Sequence, residues 1–495
     1  MAATTRYHAP ETVPSPGLRD ARALADVFVG VLRRDLQAFF PQSRFEPLTP
    51  PPHGADPGSG PRFQLIENAG GESDDIEVFG ARYAFGPRGG GRFSAHDRRL
   101  IRAVGAVVNL RYSLLFLSGR APGLDLYRGS PDDHYVAAFI DPSAYALPSG
   151  HPCRIASTLQ TLRTAALSTY ENRRVSTGAL LLGAGARPDR PTPIDALPYG
   201  VELTALKSVH RLCDGRRTLF LVDGNGDLSE IIDIERWAAA TAAPDAPGPQ
   251  ANGHPVGSDT GAHGRGHVVN EVPCARAYTA HARATRLGGH VCLVLSPNQE
   301  IKLFAGGAQV FAFAHGRWRV LDPATCYAVW RRAVANDRVA RVLYQTALDL
   351  AEERQGGLLV VLDRPSEAVG RLIAPHDALA GEVSCTAPVE LNPGDPLAKR
   401  ALHYLARDRE VSSIDPSVLE ALAGLDGALV TDRDGHIVAF GAILRHDPSL
   451  LHGPITAEGA RTTAALVASR FGPVLKVSED GVVSCYLDGN RVWDL

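Results

Sequence analysis

No two cysteines stand at CxxC spacing, no apolar run is long enough to span a bilayer, and charge of neither sign predominates. The seven cysteines, at 153, 213, 274, 292, 326, 385 and 485, are odd in number and widely spaced. That excludes a paired disulfide framework and a zinc ribbon. Residues 1–13 lack a basic segment followed by an apolar core, so no signal peptide is read. The most apolar stretch, 103–117, is interrupted by Asn109 and Arg111 and falls short of the roughly 20 residues a membrane helix needs. A reducing cytoplasmic location is expected, with no membrane partner. Lys and Arg total 51 against 54 Asp and Glu, a net charge of -3. A general DNA or RNA binder would carry a basic field, so neither is expected as a partner.

What is present is a globular composition, 44% hydrophobic and 21% charged, with 49 Gly and 36 Pro that predict many turns. At roughly 150 residues per domain the length allows about three domains. Apolar spacing predicts helices over 20–40, 96–117, 156–173, 323–355 and 416–424. A Pro-rich stretch, 47–61, and an Ala/Pro/Gly/Asn/His-rich linker, 238–267, punctuate the chain. His254, His263 and His267 lie in that linker, where a mobile loop cannot fix metal-ligand geometry. Short β-rich runs flank turns at 223–227, 296–298, 432–435 and 479–481, the pattern of hairpins, with a further apolar strand over 358–362. The fold class expected is α/β (α+β), mixed β-sheets flanked by helices. The expected division is an N-terminal α/β region over 1–237, the linker 238–267, a β-rich middle segment over 268–335 packing with the N-terminal region, and a C-terminal domain over 336–495.

Common motifs fail on their spacing. Asp223–Asp227 opens like a calcium loop, but the sixth and twelfth positions are Leu228 and Ile234 where Gly and Glu are needed. The glycines of 89–91 and 183–185 have neither phosphate-loop nor dinucleotide spacing, and no GxSxG or HExxH occurs. Arg331, Arg332, Arg338 and Arg341 read as a solvated helix face. The stronger pairing is Asp426-Gly427-Ala428 at a strand start with Gly459-Ala460-Arg461-Thr462-Thr463 opening a helix. A glycine-led helix start leaves backbone N–H groups free beside a partial positive charge, and Arg461 adds a bidentate donor. Asp426 could hold a divalent ion or a ribose hydroxyl. The same residues also read as a turn aspartate and a surface ion pair.

The ordered series from Val339 onward resembles the diadenylate cyclase (DAC) domain family. Ala347–Arg354 and Gly356–Leu362 resemble its first helix and strand. Asp415–Val430, Asp434–Ala439, Gly459–Ala465 and Val474–Gly481 resemble the segments that follow. The resemblance implies a site that condenses two ATP into cyclic di-AMP with Mg²⁺ or Mn²⁺, two domains facing each other. It implies that Asp426, Gly427 and Ala428 serve the metal and ribose, and that the segment from Gly459 grips phosphate. If the site is active, Asp426 and Arg461 are its catalytic residues and Asp426 its metal ligand. Ala460 stands where the family has Thr, and Thr462 and Thr463 where it has His and Arg. Two lost cationic donors, each about 1.5–3 kcal/mol, point to a degenerate sensor of ATP or a cyclic dinucleotide. An active cyclase is the alternative. A homo-oligomer or an effector protein is the partner such a sensor implies. Upstream, Ala205–Leu212, then Asp214-Gly215 and a strand over 218–222, echo the helix, Asp-Gly, strand order at Asp426. Either a second unit of the same kind or unrelated α/β packing accounts for that.

Overall fold

Helical spacing near the N-terminus becomes α1 (Leu18–Phe39), which buries Phe28, Leu32 and Leu36 on one stripe. The computed structural model describes residues 18–49, 63–68, 71, 73–89, 92–116, 129–146, 153–186, 188, 191–206, 209–241, 271–379, 403–445 and 459–495. Contacts divide the chain into two units: Met1–Leu167, Pro198–Lys207 and Ala314–Val320 form one, and the remainder the other. Most of the predicted linker, 242–267, and most of the Pro-rich stretch, 50–61, lie outside the described residues.

In the first unit, β1 (Ser43–Thr49), β2 (Gln64–Ile66), β3 (Asp74–Val78) and β4 (Ala81–Pro87) make an antiparallel sheet ordered β1-β4-β3-β2. Three helices follow: α2 (Ala95–Phe116), α3 (Pro131–Ile140) and α4 (Arg154–Ala166). Phe28 meets Phe79 and Tyr112 edge-on at 5.3 and 5.5 Å between ring centroids. Helix α4 stops short of the predicted 173. Beyond it, already in the second unit, Glu171 and Asn172 take left-handed φ of +50° and +60° and turn a short hairpin, β5 (Thr169–Tyr170) and β6 (Arg173–Arg174). No helix among the described residues is long and apolar enough to cross a membrane.

The second unit holds two mixed sheets. The first uses β7 (Thr177–Leu181), β8 (Thr218–Val222), β9 (Leu228–Asp233), β10 (Val291–Leu295), β11 (Ile301–Ala305) and β12 (Ala308–Ala314), in the order β9-β8-β7-β10-β11-β12. Helices α5 (Ile234–Thr241) and α6 (Thr279–Ala284) cover one face, their Ile234, Ala238 and Ala282 sharing a core with Leu180, Leu221 and Val294. The next strand, β13 (Arg317–Val320), is counted with the first unit. The predicted helix over 323–355 is two, α7 (Pro323–Val334) and α8 (Asp337–Glu352). Ala335 turns left-handed at φ +58°, and the Asn336 side chain accepts from the N–H groups of Arg338 and Val339, starting a new helix. Arg331 and Arg332 therefore lie on one helix, Arg338 and Arg341 on the next.

The second sheet uses β14 (Gly357–Leu362), then, after the short α9 (Pro365–Ala368) and α10 (Pro416–Ala423), β15 (Ala428–Asp432) and β16 (Ile437–Ala442). Helix α11 (Gly459–Ala468) precedes β17 (Val474–Val477), β18 (Val483–Leu487) and β19 (Asn490–Asp494). The order is β16-β15-β14-β17-β18-β19, with β14 parallel to β15 and antiparallel to β17. Leu359 and Val361 face a core shared with Leu343, Ala347 and Leu350 of α8, while Leu358, Val360 and Leu362 share one with Ala465 and Ala468 of α11. Both faces are covered, so the strand reads as an unbroken apolar run rather than an alternation. The α/β fold with mixed sheets flanked by helices is thus borne out.

His281 of α6 is fully buried, its Nε2 2.9 Å from the carbonyl oxygen of Gly215. Burial pushes its pKa down to about 4. An unfolded imidazole titrates near 6.5, so below that pH the unfolded chain takes up a proton the folded chain refuses. Stability is therefore expected to fall as pH drops from 6.5 towards 4, by about 3 kcal/mol from this group. In urea titrations at pH 7 and pH 5, His281→Leu should lose less on acidification than the wild type, whatever its stability at pH 7. Equal losses would contradict the assignment.

Candidate functional site

The predicted site residues gather at one end of the second sheet, where β14 and β15 begin and β17 ends. Asp415 caps α10, accepting from Ser417 N–H at 2.9 Å, and Gly424 closes it with a bond to Glu420 O. The chain then turns through exposed Asp426 into Gly427, at φ +110°, and buried Ala428. A Cβ on Gly427 would stand 2.4 Å from the carbonyl carbon of Gly441 on β16, so only glycine fits this crossing.

Leu359 pairs with Leu429 in the parallel register. The two strands therefore start at the same end of the sheet, with Asp426 shortly before β15 and the Gln355–Gly356 loop opening β14. Arg461 lies against that loop: a Cβ on Gly356 would be 2.2 Å from its Nη1. Gln355-Gly356-Gly357 is thus a floor bounded by the end of α10 and by the Arg461 guanidinium. Arg461 is about one-third exposed (38%) and stands 3.7 Å from Glu479, itself 77% exposed, so the surface ion pair allowed by the sequence is present. Exposed pairs of this kind contribute about 0–1 kcal/mol, too little to hold the arginine against an incoming phosphate.

The threonines differ in their engagement. Thr463 donates to Gly459 O one turn back (3.4 Å), spending its hydroxyl on its own helix. Thr462 is buried and accepts from Lys476 Nζ at 3.0 Å. Lys476 was not singled out in the sequence. It is the one charged residue in the apolar run Val474–Val477, opposite Leu358 in the register with β14. The helix start therefore carries two cations, Arg461 and Lys476, beside the exposed backbone of Gly459 and Ala460. That combination suits an oxyanion.

At the far end of β15, Asp432, Asp434 and His436 each bring a ligand atom within 4.8 Å of the others. His436 N–H donates to Asp432 Oδ1 (2.8 Å) and its Nδ1 lies 3.1 Å from Oδ2, bonds that close the turn on itself. Asp426 is no part of that group.

No family model matches the sequence, and no curated protein matches it. Among solved structures, the chain is similar to a double cysteine mutant of DacA from Staphylococcus aureus, at 18% identity over 32% of this chain and 87% of that one, TM-score 0.21. It is also similar to a hypothetical membrane spanning protein from Bacillus cereus, at 21% identity over 34% and 69%, TM-score 0.22. Both similarities are weak.

Proposed function

We propose that residues 336–495 form a nucleotide sensor that holds ATP or a cyclic dinucleotide at the Arg461 edge. The observation that carries this reading is the pairing of Arg461 and Lys476 around the first turn of α11, above a floor of Gly356 and Gly357 that carries no side chain. Phosphate would be taken by Arg461, Lys476 and the N–H groups at Gly459 and Ala460. Asp426, a single exposed carboxylate, fits a ribose hydroxyl, or a Mg²⁺ or Mn²⁺ ion whose other ligands are phosphate oxygens and water. Such an ion would neutralise phosphate charge.

The cyclase alternative draws on the same edge, since Lys476 restores one of the two missing cations. Neither threonine replaces the other, because Thr463 is turned to Gly459 O. Calorimetric titration with ATP and Mn²⁺ should show saturable binding that weakens about tenfold or more in Arg461→Ala, the loss expected for one charge-assisted contact. Incubation with the same mixture should yield no cyclic di-AMP. Product that forms in the wild type and disappears in Asp426→Asn would replace the sensor by the cyclase.

A further inference from the structure

The two sheets of the second unit follow one plan. Six adjacent strands of the seven-stranded first sheet, β9-β8-β7-β10-β11-β12, match the order β16-β15-β14-β17-β18-β19 of the six-stranded second. In each, the central strand runs parallel to the one before it and antiparallel to the one after. The register repeats as well. Val294 opposes Lys302 as Lys476 opposes Ser484, and the bulge between Leu303 and Phe304 recurs between Cys485 and Tyr486. A second bulge, between Leu221 and Val222, recurs between Val430 and Thr431. Thr285 Oγ1 donates to Ala282 O and accepts from Gly307 N–H. Ser469 Oγ donates to Leu466 O and accepts from Gly489 N–H. Strand order demands neither the bulges nor the hydroxyl bridges, so their joint recurrence marks one fold used twice.

Aligned through these features, the first copy lacks the cations of the second. Val294 stands for Lys476. Counting back from Thr285 and Ser469, Ala277 stands for Arg461 and Tyr278 for Thr462. Instead, a carboxylate from α8 meets this edge. The Tyr278 hydroxyl donates to Glu352 (3.0 Å), Lys302 Nζ lies 2.8 Å from it and Arg216 Nη2 3.7 Å. The Asp426 position is changed as well: in this register Arg217 stands for Asp426 and Thr218 for Gly427, and the nearby Asp-Gly turn is spent on backbone. Asp214 Oδ1 accepts from the N–H groups of Arg216, Arg217 and Thr218 at 2.8, 2.7 and 3.0 Å.

We propose that strands β7–β12 with helices α5 and α6 form a second copy of the nucleotide-binding fold, its anion edge filled by the chain's own Glu352, so that each chain holds one nucleotide, at Arg461. The stoichiometry rests on the nucleotide reading above. Titration of the full chain with ATP and Mn²⁺ should give one ATP per chain, an affinity at least tenfold lower in Arg461→Ala, and no change in Arg216→Ala. Two ATP per chain, or wild-type affinity retained in Arg461→Ala, would overturn the inference and leave a nucleotide-binding protein. No saturable binding in the wild type would overturn the nucleotide reading itself, and the stoichiometry with it.

Discussion

Replacing Glu352 by alanine is expected to destabilise the second unit by about 3–5 kcal/mol, the cost of stranding a buried charge. Lys302 is 7% exposed and Glu352 6%, and the lysine is held between Glu352 at 2.8 Å and Glu300 at 3.1 Å. Glu300 already serves Arg354, so it cannot take over alone. The Tyr278 hydroxyl loses its acceptor in the same substitution. Burial by itself would push the Lys302 pKa down, but the two carboxylates more than reverse that and hold it above its ordinary value. A raised lysine pKa gives stability that is intact below the unfolded value, near 10.4, and is lost as pH climbs through the folded one. The variant should therefore differ most from the wild type at neutral pH and converge with it in strong alkali. Removing both partners as Lys302→Met with Glu352→Leu should restore much of the loss, because no charge remains buried. Urea midpoints for the wild type and the two variants decide this, and a Glu352→Ala cost below about 1 kcal/mol would mean that the pair is open to water.

Gly427→Ala is the second large effect, expected at about 3 kcal/mol or more. Its φ of +110° is foreign to L-residues, and the added methyl would meet three backbone atoms of Gly441 and Ala442 within 2.8 Å. Backbone cannot swing aside as a long side chain can, so strain of about 1–3 kcal/mol and overpacking of similar size add together. Gly459→Ala is the internal comparison. It too is left-handed, at φ +57°, but open space surrounds it, and about 1–2 kcal/mol is expected. Thermal unfolding of the two variants should separate them clearly. Equal losses would mean that the β16 crossing yields more readily than its geometry suggests.

The parts of this fold that local chemistry dictates were legible in the sequence. Asp-Gly turns at 223–227 and 432–435 fall where hairpins were expected, and the apolar run at 358–362 is the central strand β14. The break at Ala335 escaped notice because it uses neither glycine nor proline, only a left-handed alanine followed by a capping asparagine. Asp426 and Arg461 stood out through their motifs. Lys476 did not, since its meeting with Thr462 depends on β17 packing beside α11, which no local pattern encodes. The repetition of the fold was visible only as a faint echo at Asp214-Gly215, which lies three residues out of register with Asp426-Gly427. Register and bulges are properties of the backbone, and they persist after the side chains of one copy have been exchanged for others.

In both sheets the central strand is also the first to be made, and that governs how the chain can be assembled on the ribosome. β7 must find β10, and Leu181 pairs with Val291, more than a hundred residues later. At synthesis rates of about 5–20 residues per second, that apolar strand waits roughly 5–20 seconds for its second neighbour. The same delay recurs for β14, whose partners begin at Ala428 and Val474. Two fully buried strands, each left with an open side during translation, make this a chain for which the nascent state is more prone to aggregation than the finished one.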